Sequence, residues 1–537
     1  MLRNRDLVGL LVSWGCWVTG EWAYLIALSV VAYGSGGAAA VGVAGAVRVL
    51  PAAVLGPLAS IATDRFRRPL VLTAVHICWS LVTLALAGLA AADAPLAVFL
   101  TVVGVGAFLS SAFRPSVNAM IPQLVRSPGE LVAANSAYSI VEATATIVGP
   151  LVSGALLAAL APAATFLALS VLFAAAGAVS SRIHSDFQPA RATRMAGLAV
   201  LAEPLRGFPA LVRPGIRVVF GLLSGQAAMR GLVNVFVVVL ALRGGGADAG
   251  TLFAAIGVGG LLGAVGALGA GGNSQGARRF GLGVALWGLP VLAIGLTPKL
   301  ALPALLLLGL GNAIEDVYGF TLLNRLLPDH VAGRAFGALW SCAAAAIALG
   351  SLGGAFLIST VGLAWAMRIT GAVLAFGVFI LWGRLRAIDD MAGADPAAAD
   401  LLRLVPMFAP LTPLALESLA RGALEVRVPA GVTVVRQGDV GDRFFVVCDG
   451  SLSVHQDGHE LRPLGHGDAF GEIALLRSVP RTASITATDS CRLLSIDAST
   501  FVAAVTGHRG AEHAAHETVN RHLGAPDDIV VRPDQNL

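Results

Sequence analysis

Apolar residues fill most of positions 7–383 in blocks that are separated by short polar loops. A helix needs roughly 20 consecutive apolar residues to cross the hydrocarbon core of a bilayer. The pattern therefore predicts twelve transmembrane helices, with approximate bounds 7–32, 41–61, 70–91, 96–120, 132–160, 163–181, 216–241, 250–271, 280–297, 300–323, 335–358 and 363–383.

Arginines are concentrated in alternate loops between these blocks. One set of loops carries Arg3, Arg5, Arg65, Arg67, Arg68, Arg126, Arg182, Arg191, Arg194, Arg206, Arg213, Arg278, Arg279, Arg325, Arg334, Arg384 and Arg386. The opposite loops offer little more than Arg243 and Lys299. Basic loops stay in the cytoplasm, so we expect a multi-pass protein of a bacterial inner membrane with both termini cytoplasmic.

A long loop at 182–215 divides six predicted spans from six, and the two sets show weak symmetry. The fifth span contains Gly149-Pro150, and the eleventh contains Gly350-Ser351-Leu352-Gly353-Gly354. Small residues at such spacings let helix backbones approach closely. Paired halves around a midplane site are typical of secondary transporters.

Several charged and polar residues fall inside predicted spans. Burying a charge there costs about 2.5–3.5 kcal/mol on insertion scales, so such groups usually face a cavity or a partner. Glu21 and Glu142 are the first candidates for carboxylates that bind a proton, although structural pairing between helices is an equal alternative for each residue. The transport candidates are Glu21, Arg48, Arg114, Glu142, Arg230, Asn234, Glu315 and Asp316.

The pattern changes after Arg386. Residues 387–400 are small and acidic, and 401–424 have helical apolar spacing interrupted by prolines. Short alternating runs separated by glycine turns then predict a β-roll, or jelly roll, with a closing helix over 498–523. The predicted strands are 425–428, 433–435, 444–447, 451–454, 484–487 and 492–496.

Composition agrees with a membrane protein. The mean hydropathy is +0.79 with 56% hydrophobic residues, which is too apolar for a soluble chain of 537 residues. Residues 400–537 carry 12 arginines and 17 acidic residues, so the basic excess lies beside the apolar blocks and does not indicate a nucleic-acid partner. The five cysteines are scattered without metal-ligand spacing, and we expect no metal.

The segment 470–484 carries the clearest binding chemistry. A glycine turn opens a short helical run that contains Glu472, and Arg481 follows nine residues later. Backbone N–H groups at a helix start and an arginine fork both bind anions, whereas the Glu472 carboxylate would accept from hydroxyl groups. An anion beside a sugar hydroxyl describes a nucleotide.

These residues resemble the phosphate-binding cassette of cyclic nucleotide-binding domains, and residues 401–523 resemble that domain as a whole. The resemblance implies that Glu472 accepts from the ribose 2′-hydroxyl and that Arg481 pairs with the cyclic phosphate. Thr482 is compatible with either base, and cAMP is favoured over cGMP as the commoner bacterial messenger. The implied site comprises Phe470, Gly471, Glu472, Ile473, Ala474, Arg481, Thr482 and Ala483. The alternative is a degenerate roll in which Glu472 and Arg481 form an ordinary ion pair.

The twelve spans, with the long loop between two sets of six, resemble the major facilitator superfamily. Its macrolide-efflux and enterobactin-exporter branch is resembled by three segments: Arg114-Pro115 through Ile121-Pro122, Ala134-Asn135-Ser136 and Thr321-Leu322-Leu323-Asn324-Arg325. Asp64-Arg65-Phe66-Arg67-Arg68 looks like the signature loop of that family, which implies a cytoplasmic latch made by Asp64, Arg65 and Arg68. Gly149-Pro150 resembles the element associated with antiporters of the family. The implied fold is the six-plus-six helical membrane fold, followed by the β-roll with its flanking helices.

The sequence therefore predicts a proton-coupled exporter of a small molecule, regulated by a cyclic nucleotide. A membrane-anchored receptor that signals to a partner without transporting is the main alternative. Export of the nucleotide itself is a third reading, and enzymatic turnover is disfavoured because the cassette offers no nucleophile or metal cluster. The sequence leaves the oligomeric state open. The expected divisions are 1–181, 182–215, 216–386, 387–400, 401–524 and a polar tail at 525–537.

Overall fold

The computed structural model describes residues 4–125, 128–184, 203–244, 248–268, 275–327, 329–392, 396–411, 413–506, 511, 514–515 and 517–519. The chain divides into two compact units, Met1–Asp389 and Asp390–Leu537. The apolar blocks form the first unit, and the short strands that glycine turns separate form the second.

The first unit is helical throughout its described secondary structure. Its helices are α1 (Arg5–Arg65), α2 (Arg68–Ala91), α3 (Leu96–Ser110), α4 (Phe113–Leu124), α5 (Pro128–Ala159), α6 (Pro162–Ser180), α7 (Glu203–Leu211), α8 (Ile216–Leu242), α9 (Ala249–Leu268), α10 (Gly276–Leu296), α11 (Ala301–Leu326), α12 (Asp329–Val361) and α13 (Leu363–Ala392), with a 3₁₀ turn at Pro298–Leu300. Among the described residues, ten of these helices are long and apolar enough to cross a membrane.

Two details reconcile ten long helices with twelve predicted spans. The helix α1 covers 61 residues and is broken at Gly36 and Gly37, where Gly37 has a φ of +61°. A straight helix of that length would measure about 90 Å, three times the hydrocarbon thickness, so the break turns the chain back and α1 supplies the first two spans. The helices α3 and α4 together form the fourth span, because α3 has only 15 residues and joins α4 through Ser111 and Ala112.

The glycines at 149 and 350, which suggested symmetry between the two halves, each lie at a close crossing of two helices. A Cβ at Gly149 in α5 would lie 2.6 Å from the Thr19 carbonyl oxygen in α1, and a Cβ at Gly350 in α12 would overlap the Ala228 carbonyl in α8. In span numbers, the fifth span packs on the first and the eleventh packs on the seventh. Each half therefore uses a glycine at the same place to bring two backbones into contact.

Glycines also mark where the two halves meet. A Cβ at Gly42 in α1 would lie 2.7 Å from the Ser351 carbonyl oxygen in α12, and one at Gly154 in α5 would lie 2.7 Å from Asp248 Oδ1 beside α9. Gly42 closely follows the break in α1, and Gly154 lies in the last two turns of α5, so both contacts are on the side of the bundle opposite the start of α1. The halves are therefore packed together on that side.

The second unit is a roll of two four-stranded antiparallel sheets with helices on one side. Its strands are β1 (Leu424–Val428), β2 (Thr433–Val435), β3 (Arg443–Asp449), β4 (Leu452–Gln456), β5 (His459–Leu464), β6 (Ala469–Phe470), β7 (Ser484–Ala487) and β8 (Cys491–Asp497). The sheets have the orders β1-β8-β3-β6 and β2-β7-β4-β5. The helices are α14 (Pro396–Leu404), α15 (Pro413–Gly422), α16 (Glu472–Arg477) and α17 (Ala498–Thr506), with a 3₁₀ turn at Pro406–Phe408.

Alternation along β3 explains the layering of this unit. Phe445 and Val447 point into the core between the sheets, whereas Phe444 and Val446 point into a second core against the helices. The Phe444 ring stacks on Phe501 of α17 with centroids 4.4 Å apart. A strand that is apolar on both faces therefore sits between two cores.

The start of α17 is capped by an aspartate whose pKa is lowered. Hydrogen bonds from the Ser499 hydroxyl, then from the hydroxyl and N–H of Thr500, hold the pKa of Asp497 below its ordinary value. Replacing Asp497 with alanine should cost about 1 kcal/mol of unfolding free energy at pH 7, as for other N-caps.

A depressed carboxyl pKa stabilises the fold above the unfolded value of about 3.9 and loses that effect as pH falls toward the folded value. The stability difference between wild type and Asp497→Ala should therefore shrink steadily below pH 4 in thermal melts. A difference that stays constant from pH 7 to pH 3 would contradict this role of Asp497.

Candidate functional site

The cassette segment forms a tight turn followed by a short helix. Gly471 has a φ of +97° and immediately precedes α16, which runs from Glu472 to Arg477. The N–H groups of the first helical turn have no acceptor within the helix. The Phe470 side chain fixes the start of the turn, because its ring is buried and stacks on the Phe445 ring, with 5.1 Å between the ring centroids.

Arg481 is buried beside this turn, with 6% of its surface exposed. Its Nη1 donates to the Gly471 carbonyl at 3.0 Å, and its Nη2 donates to the Arg443 carbonyl at 2.6 Å. These two bonds hold the guanidinium plane at the start of α16. A guanidinium has five N–H donors, so the fork retains donors for an anion.

The loop before β3 wraps around the same arginine. The backbone N–H of Arg481 donates to the Asp439 carbonyl at 2.8 Å, and Gly438 donates to the Arg481 carbonyl at 2.9 Å. A Cβ at Gly441 would lie 2.7 Å from the Ala474 Cβ and 3.2 Å from Arg481 Nε. The glycines at 441 and 471 thus leave room for the guanidinium.

Three carboxylates lie near the Arg481 guanidinium. Burial lowers the pKa of the Arg481 guanidinium, and the nearby carboxylates of Asp442, Glu472 and Asp439 oppose that shift. Arginine stays protonated throughout the physiological range. The segment therefore presents a fixed positive charge, and Glu472, with 3% of its surface exposed, is a buried acid close to it.

The remaining cassette residues line the same turn. Ile473 and Ala474 lie in α16, and Thr482 and Ala483 are half-buried just before β7. The structure thus brings the predicted cassette residues into one place. It also adds Gly441 and the Arg443 carbonyl, which sequence reasoning missed because neither carries a polar side-chain signal toward an anion.

Phe501 and Val505 lie on the inner face of α17. Both are fully buried in the core against Phe444 and Phe408. His508, His513, His516 and His522 lie outside the described residues.

Replacing Gly471 with alanine should disrupt the cassette. The added Cβ would lie 2.5 Å from Arg481 Nη1, and the φ of +97° is strained for a residue with a side chain. We expect anion affinity at this site to fall by about tenfold or more, as for loss of one charge-assisted hydrogen bond. Calorimetry with a cyclic nucleotide measures this, with Gly458→Ala as control, since Gly458 has a similar φ of +82° and open space around it. Equal losses in both variants would assign the effect to backbone strain alone.

In the first unit, the charged residues of the N-terminal half form one paired cluster. Arg114 Nη1 lies 3.0 Å from Glu142 Oε1, and Arg114 Nη2 lies 3.7 Å from Glu21 Oε2. Arg48 Nη1 lies 3.8 Å from Glu21 Oε1. Glu21 and Glu142 are therefore both ion-paired, and Arg114 also lies over the Trp14 ring at 4.9 Å.

A small cavity of about 40 Å³ opens beside Glu21 and Arg48. Tyr24 and Trp79 line it, and the Tyr24 hydroxyl and the Trp79 Nε1 are buried without a hydrogen-bond partner among the described residues. A water needs about 10–15 Å³ and two or more polar partners. The cavity is thus large enough and polar enough for water next to Glu21.

The C-terminal half holds a second polar cluster. Arg230 Nη2 donates to Asn312 Oδ1 at 2.6 Å, and Asn312 Nδ2 donates to Asp316 Oδ2 at 3.0 Å. At Glu315, α11 packs closely on α10, where a Cβ at Gly283 would lie 2.6 Å from Glu315 N and 2.9 Å from its Cβ. Asn312 was missed, although its position four residues before Asp316 places the two on one helix face.

The other candidates stand apart from these clusters. Asn234 is half-buried in α8. Arg68 begins α2, whereas the side chains of Asp64 and Arg65 lie outside the described residues. In the described residues no group of three or more His, Cys, Asp or Glu residues is arranged to hold a metal ion.

Comparison with known families decides the identity of the first unit. A family model for the Major Facilitator Superfamily matches residues 10–350. The chain belongs to the major facilitator superfamily. It is thus a multi-pass membrane protein with a transporter domain, and a second family model, for the cyclic nucleotide-binding domain, matches residues 425–508.

Two curated relatives each match one part of this chain. A cyclic nucleotide-gated potassium channel of Rhizobium etli is 31% identical over 172 residues, which are 30% of this chain and 48% of the channel. A cAMP-dependent protein kinase regulatory subunit of Yarrowia lipolytica is 36% identical over 95 residues, which are 18% of this chain and 25% of that protein. This chain therefore spans less than half the length of these curated relatives.

Among solved structures, the catabolite activator protein of Thermus thermophilus is 27% identical and covers 22% of this chain and 58% of its own, with a TM-score of 0.21. Both families that match this superfamily member are non-enzymatic. The predicted architecture, a helical transporter fold followed by a cyclic nucleotide-binding β-roll, is confirmed.

Proposed function

We propose that this chain is a proton-coupled exporter of a small molecule whose C-terminal domain binds a cyclic nucleotide and regulates transport. One observation carries the proposal: a transporter domain and a nucleotide-binding domain with an ordered arginine cradle occur in one chain.

In the cyclic nucleotide site, Arg481 pairs with the cyclic phosphate through the donors that its carbonyl bonds leave. The N–H groups of Ile473, Ala474 and Ala483 complete the phosphate contacts, and Glu472 accepts from the ribose 2′-hydroxyl. The buried positions of Glu472 and Arg481 support these roles. The proposed ligand is cAMP, with cGMP as the competitor that Thr482 would also accommodate.

In the membrane domain, the two six-helix halves rock around a central site that Glu21, Arg48, Arg114, Glu142, Arg230 and Asp316 line. The ion pairs of the N-terminal half and the Arg230–Asn312–Asp316 chain support a polar centre between the halves. The arginine-rich loops support cytoplasmic termini in a bacterial inner membrane. Asp64, Arg65 and Arg68 form the latch on that side.

Regulation follows from differential affinity. A nucleotide shifts the balance between transporter states only by the ratio of its affinities for them. Couplings of about 1–3 kcal/mol are typical and correspond to about 5- to 150-fold. The short connection between the last span and the β-roll supports such coupling.

A thermal-shift screen of the purified full chain tests the proposal. We expect cAMP to raise the melting temperature of wild type and not of Arg481→Ala, and we expect a compound panel to yield a small-molecule ligand of the membrane domain. The matched control is Arg427→Ala, because the Arg427 side chain is 84% exposed on β1. A cAMP shift that is equal in wild type and Arg481→Ala would overturn the nucleotide assignment.

A further inference from the structure

An apolar groove of about 400 Å³ runs along α1 in the N-terminal half. Its walls are formed by Val141 of α5 and Leu172 of α6. Its floor is one face of α1, made by Val8, Leu11, Val12, Gly15, Cys16 and Thr19. Because Val12 is 46% exposed, the groove is open along its length at the surface of the membrane domain.

The groove lies apart from the charged cluster of the same half. Its floor residues recur at spacings of three and four, which places them on one face of the helix. Glu21 follows Thr19 by two residues, so it is rotated from that face by about 200°. The Glu21 carboxylate pairs with Arg48 and Arg114 on that other side of α1. The groove therefore faces the hydrocarbon of the bilayer.

The length of the groove matches one leaflet. The floor runs from Val8 to Thr19, a rise of about 17 Å along a helix, and half of the hydrocarbon thickness is about 15 Å. At Thr19 the helix α5 closes the groove, because a Cβ at Gly149 would lie 2.6 Å from the Thr19 carbonyl oxygen. The groove thus extends from one surface of the bilayer to its middle.

The open end beside Val8, here called the mouth, lies where the start of α1 meets the chain after α6. A Cβ at Gly9 would lie 3.5 Å from Ile183 Cγ1, and the His184 N–H donates to Asp6 Oδ1 at 2.9 Å. Arg5 and Arg182 directly precede Asp6 and Ile183 in the chain, and both are exposed. Two arginines therefore lie at the mouth, at the level of the lipid headgroups.

The positive charges at the mouth are available to a ligand. In the part of the chain that the structure describes, neither Arg5 nor Arg182 has a carboxylate partner. The nearby acids have other partners: Asp6 also lies 3.7 Å from His184 Nδ1, and Glu130 Oε1 accepts from Asn4 Nδ2 at 3.3 Å. Arginines at the membrane surface attract anionic headgroups, and a guanidinium binds phosphate through paired hydrogen bonds.

We propose that this groove binds one acyl chain of an anionic phospholipid and that the lipid phosphate lies between Arg5 and Arg182. An unfilled groove would forfeit dispersion contacts along its floor and walls, and an acyl chain has the shape and length to supply them. The proposed orientation of the chain assigns the lipid to the cytoplasmic leaflet. The binding itself is independent of the nucleotide and of the transported molecule.

Native mass spectrometry of the purified full chain tests this inference with two lipids that have the same chains and different headgroups. These are dioleoylphosphatidylglycerol, which is anionic, and dioleoylphosphatidylcholine, which is zwitterionic. We expect one phosphatidylglycerol molecule to remain bound after the other lipids have dissociated. In competition, phosphatidylglycerol should be retained about tenfold or more over phosphatidylcholine, as for two arginines near an anionic lipid.

A double arginine variant tests the mouth. Replacing Arg5 and Arg182 together with glutamine should bring the retention of the two lipids to within about twofold, because the charge preference is lost while the groove remains. The matched control is the double replacement of Arg213 and Arg217 with glutamine. These two arginines are also exposed, beside the start of α8, and their removal should leave the preference unchanged.

A groove-filling variant tests the acyl-chain site. Cys16→Trp places an indole in the floor and should abolish retention of the tightly held lipid, whatever its headgroup. Val171→Trp is the control, because Val171 is 64% exposed next to Leu172 and does not line the groove. Size-exclusion profiles and melting temperatures verify that each variant is folded. The double arginine variant changes exposed side chains alone, so it gives a result even if Cys16→Trp fails to fold.

Four results would overturn the inference. These are equal retention of both lipids by wild type, an unchanged preference in the double arginine variant, a retained lipid in folded Cys16→Trp, and a wild-type dimer that Cys16→Trp abolishes. The last result would assign the groove to a second copy of the chain. Each leaves the proposed function standing, because failure of that function would appear separately, as transport that does not respond to a cyclic nucleotide.

Discussion

Replacing Arg481 with alanine is expected to weaken cyclic-nucleotide binding by about 1.5–3 kcal/mol, the value of a hydrogen bond to a charged group. This corresponds to about 10- to 150-fold in Kd. The physical reason is that Arg481 is a buried cation whose plane is fixed by the carbonyls of Gly471 and Arg443. Its removal takes away both the charge and the pre-organised geometry.

Calorimetry on the full chain measures this change, and two controls define it. Arg427→Ala removes an exposed arginine of the same roll and should leave the Kd within twofold. Arg481→Lys keeps a charge but cannot reproduce the fork, so it should recover only part of the affinity. Arg481→Ala also vacates two carbonyls, so the melting temperature without ligand separates lost binding from lost folding. If the Kd of a folded Arg481→Ala protein matched wild type, the cassette would not be the nucleotide site.

Replacing Gly350 with leucine is expected to prevent correct packing of α12 on α8. The new Cβ would overlap the Ala228 carbonyl, and on the facing helix a Cβ at Gly231 would overlap the Ile347 carbonyl. Both obstacles are backbone atoms, which no rotamer change removes. Overpacking costs about 1–3 kcal/mol and sometimes more, and we expect the upper end here, with little monodisperse protein in detergent.

The same helix supplies a matched control. Gly353 lies three residues from Gly350 and a Cβ there meets nothing within 4 Å. Gly353→Leu should therefore retain a wild-type size-exclusion profile and melting temperature. Gly149→Leu should repeat the Gly350→Leu defect, because Gly149 meets the Thr19 carbonyl in the equivalent crossing of the other half. A folded Gly350→Leu protein with wild-type stability would refute the close crossing.

The sequence predicted the structure best where a residue pattern is compatible with few structures. Long apolar blocks have few alternatives to membrane helices, and glycines at 149 and 350 lie where backbones approach. The cassette could be predicted because Gly471, Glu472 and Arg481 lie within eleven residues of one another. A short turn and a short helix are enough to bring them together. Strands β2 and β7 lie at their predicted bounds for the related reason that turn residues flank each of them.

Features that depend on packing between distant segments escaped prediction. The strand β5 is an exposed edge of its sheet with little apolar alternation, and β6 has only two residues. The pairing of Arg230 with Asn312 joins residues 82 positions apart. Glu21 and Glu142, the first candidates for proton binding, are both ion-paired with arginines from other segments of the chain, which their sequence positions do not reveal.

Transport in vesicles, with and without cAMP on the side that exposes the C-terminal domain, tests the regulated-transporter account most directly. Vesicles carrying wild type, Arg481→Ala and Arg427→Ala are compared at equal protein content, with uptake or efflux of a ligand found in the thermal-shift screen. The account predicts that cAMP changes the rate for wild type and Arg427→Ala and leaves Arg481→Ala unchanged. An equal effect of cAMP on all three, or no effect on wild type, would contradict it.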